Sequence, residues 1–206
     1  MVTKEQFSPL TAVVIDNFEG GYYHPDMLKN FKPSDQAKLK ASGETMFGLD
    51  RKAGAQLSVY PEWKVFWDRV DAERAANPAT WKYNSRGGAA GPALKVLCAD
   101  IMYQWFSSLV HKYITVGANT AIGNDDRLVI HFSYASWNGE GWFKKFANAL
   151  NTAIQKFPGD KENIFKSAIK ARTEATSVRN GVVVPNKVIR QQGVNMMKLF
   201  KNMGLI

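Results

Sequence analysis

Residues 91–114, GPALKVLCADIMYQWFSSLVHKYI, are the most apolar stretch of the chain and the one that most limits its architecture. The run is longer than an ordinary strand and opens with glycine and proline, so it predicts a central buried helix around which the other elements pack. Lys95 and Asp100 interrupt it, and no apolar run approaches the roughly 20 residues of a membrane span. No transmembrane segment is expected.

The flanking segments repeat the helical theme. Phe7, Leu10, Val13, Val14 and Phe18 recur near helical spacing and predict a first helix over Gln6–Phe18, stopped by Gly20 and Gly21. Residues 22–43 are polar and carry Pro25 and Pro33, which predicts a long connection with at most one short helix. A helix starting at Pro61 would place Trp63, Phe66, Trp67 and Val70 on one face. NDDRLVIHFSYASW reads as a helix after an Asn/Asp cap, in preference to a short strand. GWFKKFANALNTAIQKF is amphipathic, with Trp142, Phe143, Phe146, Leu150, Ile154 and Phe157 on one side. A core-packed helix with a solvated back is the favoured reading there, a membrane-surface helix the alternative. Further helices are expected over Lys161–Thr173 and after Pro185. The expectation is a mainly α protein, with residues 1–206 as a single domain.

Charge is unevenly placed. Residues 1–140 hold 15 basic and 15 acidic side chains, whereas residues 141–206 hold 12 basic and 3 acidic, so the whole formal charge of +9 lies in the last third. A basic face attracts polyanions such as nucleic acid, anionic lipid or acidic wall polymers, and a simply solvated face is the plain alternative. The basic third contains no recognisable nucleic-acid motif, so no nucleic-acid partner is expected. Cys98, the single cysteine, lies between Leu97 and Ala99 and reads as a small core residue. His24, His111 and His131 are scattered without metal-ligand spacing, and there is no Walker loop, GxGxxG or HExxH, so neither metal nor cofactor is expected. The opening MVTKEQFSPL has no apolar core after its lysine, so no signal peptide is expected.

The chemistry concentrates in DNFEGGYYHPDM, residues 16–27. Glu19 would close the first helix at the negative end of its dipole, among Phe18, Tyr22 and Tyr23. The dipole and the apolar neighbours both disfavour the ionised carboxylate and raise its pKa. Such a glutamate suits a glycosidase acid that protonates a leaving oxygen, with tyrosine faces for sugar rings. An exposed helix cap is the plain alternative. Residues 42–51, SGETMFGLDR, form a second glycine-framed turn carrying Glu44, Thr45 and Asp50.

Together these two stretches resemble the family-108 glycoside hydrolases, phage and bacterial N-acetylmuramidases whose first helix ends in E-G-G-Y and is followed by a G-G-x-T-N-x-G-I turn. Glu19, Gly20, Gly21 and Tyr22 match the first motif; Gly43, Thr45 and Gly48 match the second, with Leu49 for isoleucine. Ser42 replaces a glycine and Met46 the asparagine. The spacing between the motifs is about a dozen residues longer than in the family, the excess falling in DMLKNFKPSDQAKLKA, which is expected to form a flap over the cleft.

The resemblance implies a lysozyme-like helical domain with catalytic motifs in residues 1–60, a catalytic glutamate at the end of the first long helix, and a basic part, 141–206, facing the cell wall. It implies cleavage between N-acetylmuramic acid and N-acetylglucosamine in bacterial peptidoglycan, in a phage virion or in the host cytoplasm before release, with other virion proteins as further partners. Glu19 is the expected acid. Glu44 is either a base or charge stabiliser, or an exposed turn residue; Thr45 is either a water-holding hydroxyl or a turn stabiliser. Asp50, followed by Arg51, reads as a surface ion pair or helix cap. Tyr22 and Tyr23 are expected to bind substrate. Tyr134, Trp137 and Asn138 are either core and turn residues or a sugar-binding wall. A lytic transglycosylase using Glu19 alone and a non-catalytic virion or wall-binding protein are the alternatives.

Overall fold

The computed structural model describes residues 2–206 except 20, 25–26, 28–31, 34–35, 37–39, 41–42, 53 and 82–86. The expected flap therefore falls largely outside the described residues. The protein is mainly helical, with eight α-helices among the described residues. None of these is long and apolar enough to cross a membrane. The chain packs as two compact units: Thr11–Trp105, and Met1–Leu10 with Phe106–Ile206. Each boundary falls inside a helix, α1 (Lys4–Asn17) and α3 (Gly91–Tyr113).

In the Thr11–Trp105 unit, α1 ends where the glycines following it predict. The Phe18 amide still bonds the Val14 carbonyl at 2.9 Å, and the Glu19 amide reaches the same carbonyl at 3.4 Å. A small antiparallel hairpin follows, β1 (Thr45–Met46) and β2 (Leu49–Asp50), in register Thr45 with Asp50 and Met46 with Leu49. Tyr23 adds a third rung by bridging Thr45. The two-residue turn between the strands has Phe47 at φ 52° and Gly48 at φ 75°, both left-handed, as a type I′ turn requires. A fully buried phenylalanine is an unusual occupant of that conformation, and its burial is what holds it there. A 3₁₀ turn, Ala55–Val59, leads into α2 (Pro61–Ala76), which starts on its proline and buries Trp63, Phe66, Trp67 and Val70, the face its sequence pattern predicts. Helix α3 contributes Leu94, Ile101 and Met102, with Cys98 fully buried as expected.

The other unit is built on side-chain caps. Thr115 caps α4 (Val116–Gly123), Asp125 caps α5 (Asp126–Trp137), Asp160 caps α7 (Lys161–Thr173) and Asn186 caps α8 (Lys187–Asn202). Each cap satisfies an amide that the first helical turn leaves without a partner and contributes about 1 kcal/mol. Helix α6 (Glu140–Lys156) buries Phe143, Phe146, Ala147, Leu150 and Ala153. It is thus a core helix, with Trp142, Ile154 and Phe157 at the margin of the buried stripe. Between α7 and α8 a hairpin, β3 (Thr176–Arg179) and β4 (Val182–Pro185), turns on Asn180 and Gly181.

At the centre of this unit lies Arg172, fully buried. Its guanidinium donates to Asn138 Oδ1 at 2.7 Å, Gln192 Oε1 at 3.0 Å and the His131 carbonyl at 3.4 Å, and it stacks over Tyr134 and Phe146 at 4.9 and 4.6 Å. Every hydrogen-bonding group it meets there is neutral. Burial draws its pKa down to about 9, so it stays charged at neutral pH.

Candidate active site

Five sequence-predicted residues lie in the Thr11–Trp105 unit: Glu19, Tyr22, Tyr23, Glu44 and Thr45. Glu19 follows α1 one residue on, after Phe18, and its carboxyl is hemmed in by protein atoms although the residue is only half-buried. Burial is the main cause, and the nearby Asp50 carboxylate the second, of a pKa pushed up to about 8. The proton is therefore retained at neutral pH, because the ionised form would lose water and meet a like charge. The buried Cys98 senses the same carboxyl. Burial first and Glu19 second push its thiol well above the ordinary range, which keeps it an inert core residue.

Asp50 is the residue whose part the sequence hides. It was expected to form a surface ion pair or a cap, yet it sits directly across the hairpin from Thr45, whose hydroxyl donates to Asp50 Oδ1 at 2.6 Å. Among the described residues it makes no ion pair. Its carbonyl accepts from the Gly54 amide at 2.7 Å. A Cβ at Gly54 would lie 2.6 Å from that oxygen, so glycine is required for the chain to pass so close. The usable signal was Gly48: a two-residue turn at 47–48 sets the register that pairs 45 with 50.

Glu44 departs from the exposed-turn reading. It is 7% exposed, so it is no surface turn residue. Its Oε1 accepts from Tyr22 Oη at 2.6 Å and from Arg74 at 2.7 Å, and its Oε2 accepts from Arg51 at 2.8 Å. Arg51 also grips Asp71 with two bonds of 2.8 and 2.7 Å, and Arg74 donates to Asp71 at 2.6 Å. Two carboxylates and two guanidiniums thus close a balanced ring between the hairpin and α2, with Arg51 stacked 5.1 Å over Trp67. A carboxylate whose oxygens are already held by three donors is a poor base; its place is to fix the strand that carries Thr45.

Three of the four aromatic candidates, Tyr22, Tyr23 and Tyr134, are buried, and Trp137 is half-buried. Tyr22 is buried, edge-on to Trp81 at 5.2 Å, and its hydroxyl is pushed up to about 12 by burial and by Glu44. Tyr23 is buried and contributes its backbone to the hairpin. Neither ring has a free face for a sugar. Tyr134, Trp137 and Asn138 lie in the other unit. Tyr134 is buried against Arg172, and Asn138, half-buried, accepts from it, as core and turn residues do. Comparison with known proteins returns no match: neither a family model, nor a curated protein, nor a solved structure resembles the chain closely enough to assign it.

Proposed function

We propose that the protein is a glycosidase that cleaves peptidoglycan between N-acetylmuramic acid and N-acetylglucosamine. One observation carries the reading: a carboxyl at the end of α1 is held protonated near neutral pH beside a second carboxylate and a hydroxyl on a hairpin. Paired carboxyl groups of opposite protonation are what glycoside hydrolysis uses. Glu19 gives its proton to the bridging oxygen as the glycosidic bond breaks and becomes the carboxylate. Asp50, the second carboxyl of the pair, stabilises the cationic sugar that develops. Thr45 spends its own hydrogen on Asp50, so its oxygen is left to accept from a water. That water attacks the anomeric carbon and loses its proton to a carboxylate of the pair. The match of Glu19–Tyr22 to the muramidase motif supports the substrate class. The assignment of Asp50 rather than Glu44 as partner rests on the salt-bridge ring that occupies Glu44.

The test is digestion of purified peptidoglycan by the wild type and Glu19→Gln, with mass spectrometry of the fragments. New reducing ends made by the wild type alone are expected. Anhydro ends would replace hydrolysis by transglycosylation, in which the sugar's own 6-hydroxyl attacks. No products from well-folded wild type on several wall types would remove the enzyme reading in favour of a binding or virion protein.

A further inference from the structure

The hairpin β3–β4 holds its apolar side chains in water. Val178, Val182 and Val183 are 69%, 61% and 65% exposed, and Val188, at the start of α8, is 65% exposed. The register pairs Val178 with Val183 and places Val182 opposite Arg179, so the valines project from both faces of the ribbon. No single core can cover both faces. Single exposed valines are ordinary, but three around one turn make a compact apolar tip.

The base of the hairpin is well anchored. The Asn186 amide donates to the Ala175 carbonyl at 2.9 Å and its side chain to Ser177 Oγ at 2.7 Å. Arg190 holds the carbonyls of Ala175 and Glu174 at 2.8 and 3.0 Å. A two-stranded ribbon is marginal by itself, so this anchoring is what keeps the tip presented.

Charge points to the occupant. From residue 175 onward the chain carries Arg179, Lys187, Arg190, Lys198 and Lys201 and no acidic side chain. A second copy would bring like charges together, and four-residue strands ending at Pro185 offer little edge for pairing. An acidic polysaccharide supplies charge but no apolar phase for the valines. An anionic bilayer supplies both.

We propose that the β3–β4 hairpin docks the protein on an anionic lipid surface, its valine tip entering the headgroup region while exposed lysines of the following helix, Lys187 first, meet lipid phosphates. The proposal stands apart from the glycosidase reading and is tested without it. The full chain is sedimented with vesicles of phosphatidylcholine alone and with vesicles containing about one third phosphatidylglycerol. Binding to the anionic vesicles is expected, several-fold weaker on the neutral ones and at about 0.5 M salt. The triple variant Val178→Ser, Val182→Ser, Val183→Ser, folded by circular dichroism, should partition at least about tenfold more weakly. Val183→Trp should show a blue-shifted emission on the anionic vesicles. Equal binding by the serine variant would reduce the effect to charge alone and overturn the proposal. So would absence from both vesicle types with retention on purified peptidoglycan sacculi, which would make the basic face a wall-binding one.

Discussion

Glu19, half-buried, and Arg172, fully buried, are each a charge-bearing group without an ion-pair partner among the described residues, and the chain treats them differently. Arg172 is given what a cation without a carboxylate can use: two side-chain amide oxygens, a backbone carbonyl and two aromatic faces. Its pKa falls only to about 9, and the charge survives. Glu19 is given a second carboxylate and little water, and its pKa rises to about 8, so the charge is lost at neutral pH. Solvating a buried charge with neutral dipoles builds a core; denying it that solvation builds an acid. The Glu44 ring is a third solution, in which opposite charges cancel and neither group is freed for chemistry.

The largest expected effect is at Glu19. Glu19→Gln should lower peptidoglycan cleavage by about a thousandfold or more, since proton donation is worth 10² to 10⁴ and the leaving group departs without it. Stability should move the other way. The folded pKa is raised, so the fold is favoured below the unfolded value of 4.5 and loses that stability as pH rises to about 8. The loss over this window is on the order of a few kcal/mol and is absent in the glutamine variant. Thermal denaturation between pH 4 and 9 checks it: wild type weaker than Glu19→Gln at the alkaline end, with the gap closing in acid. A glutamine variant that is less stable at pH 9 would mean that the carboxylate has a structural partner, and the contrast with Arg172 would collapse.

Arg172 should behave in the opposite sense. Arg172→Ala removes a filled volume and strands the Asn138 and Gln192 side chains, a cost of about 3–5 kcal/mol. Arg172→Met, which keeps volume and discards the charge, should cost under about 2 kcal/mol. Neither should shift the pH dependence of cleavage. Beneath Arg172, His131 is fully buried, and its two ring nitrogens have no hydrogen-bond partner among the described residues. Burial, then Arg172, holds its pKa well below 6.5. The unfolded chain takes up that proton first, so this residue withdraws stability as pH falls below about 6.5. His131→Phe should flatten the acid limb of the stability curve, just as Glu19→Gln flattens the alkaline one.

How far these roles were legible follows from the range of the forces behind them. The faces of α2 and α6, the proline start of α2 and the Asp125 cap are written in local spacing, and so were readable. The place of Glu19 at the end of α1 was readable for the same reason, from the glycines behind it. The capture of Glu44 was not, because Arg74 lies 30 residues away and nothing in a lone arginine marks its partner. Asp50 was misplaced because its neighbour Arg51 suggested an ion pair, whereas strand alternation sends consecutive side chains to opposite faces. Tyr134 and Asn138 read as core and turn residues or as a sugar wall because an aromatic beside an amide serves either purpose; the buried guanidinium that both meet is consistent with the core reading. The even charge balance of residues 1–140 hides the salt-bridge ring.

The Glu44 ring gives the middle-sized test. Glu44→Gln leaves two guanidiniums facing a neutral amide, but both arginines are more than a third exposed or close to it, so solvent limits the loss to about 2 kcal/mol. Cleavage should fall with the hairpin's stability and recover on cooling, without change in its pH profile. A profile that moves instead would return Glu44 to the catalytic pair.

Asp50→Asn is the smallest change and the one that separates the two carboxylates most directly. It leaves the Thr45 hydroxyl an oxygen to bond and breaks no ion pair, so melting should move by less than about 1 kcal/mol. It removes a negative charge near Glu19, and with it one of the two causes that hold the Glu19 proton. The folded pKa of Glu19 therefore falls, and the alkaline limb of the cleavage profile moves to lower pH while the fold becomes less sensitive to alkali. Residual cleavage should drop by roughly a hundredfold through loss of charge stabilisation of the sugar cation. The displacement of the alkaline limb is the deciding readout, because a merely structural Asp50 would lower the rate at every pH equally. A limb that stays in place would leave burial alone as the origin of the acid, and would send the search for its partner back to the hairpin.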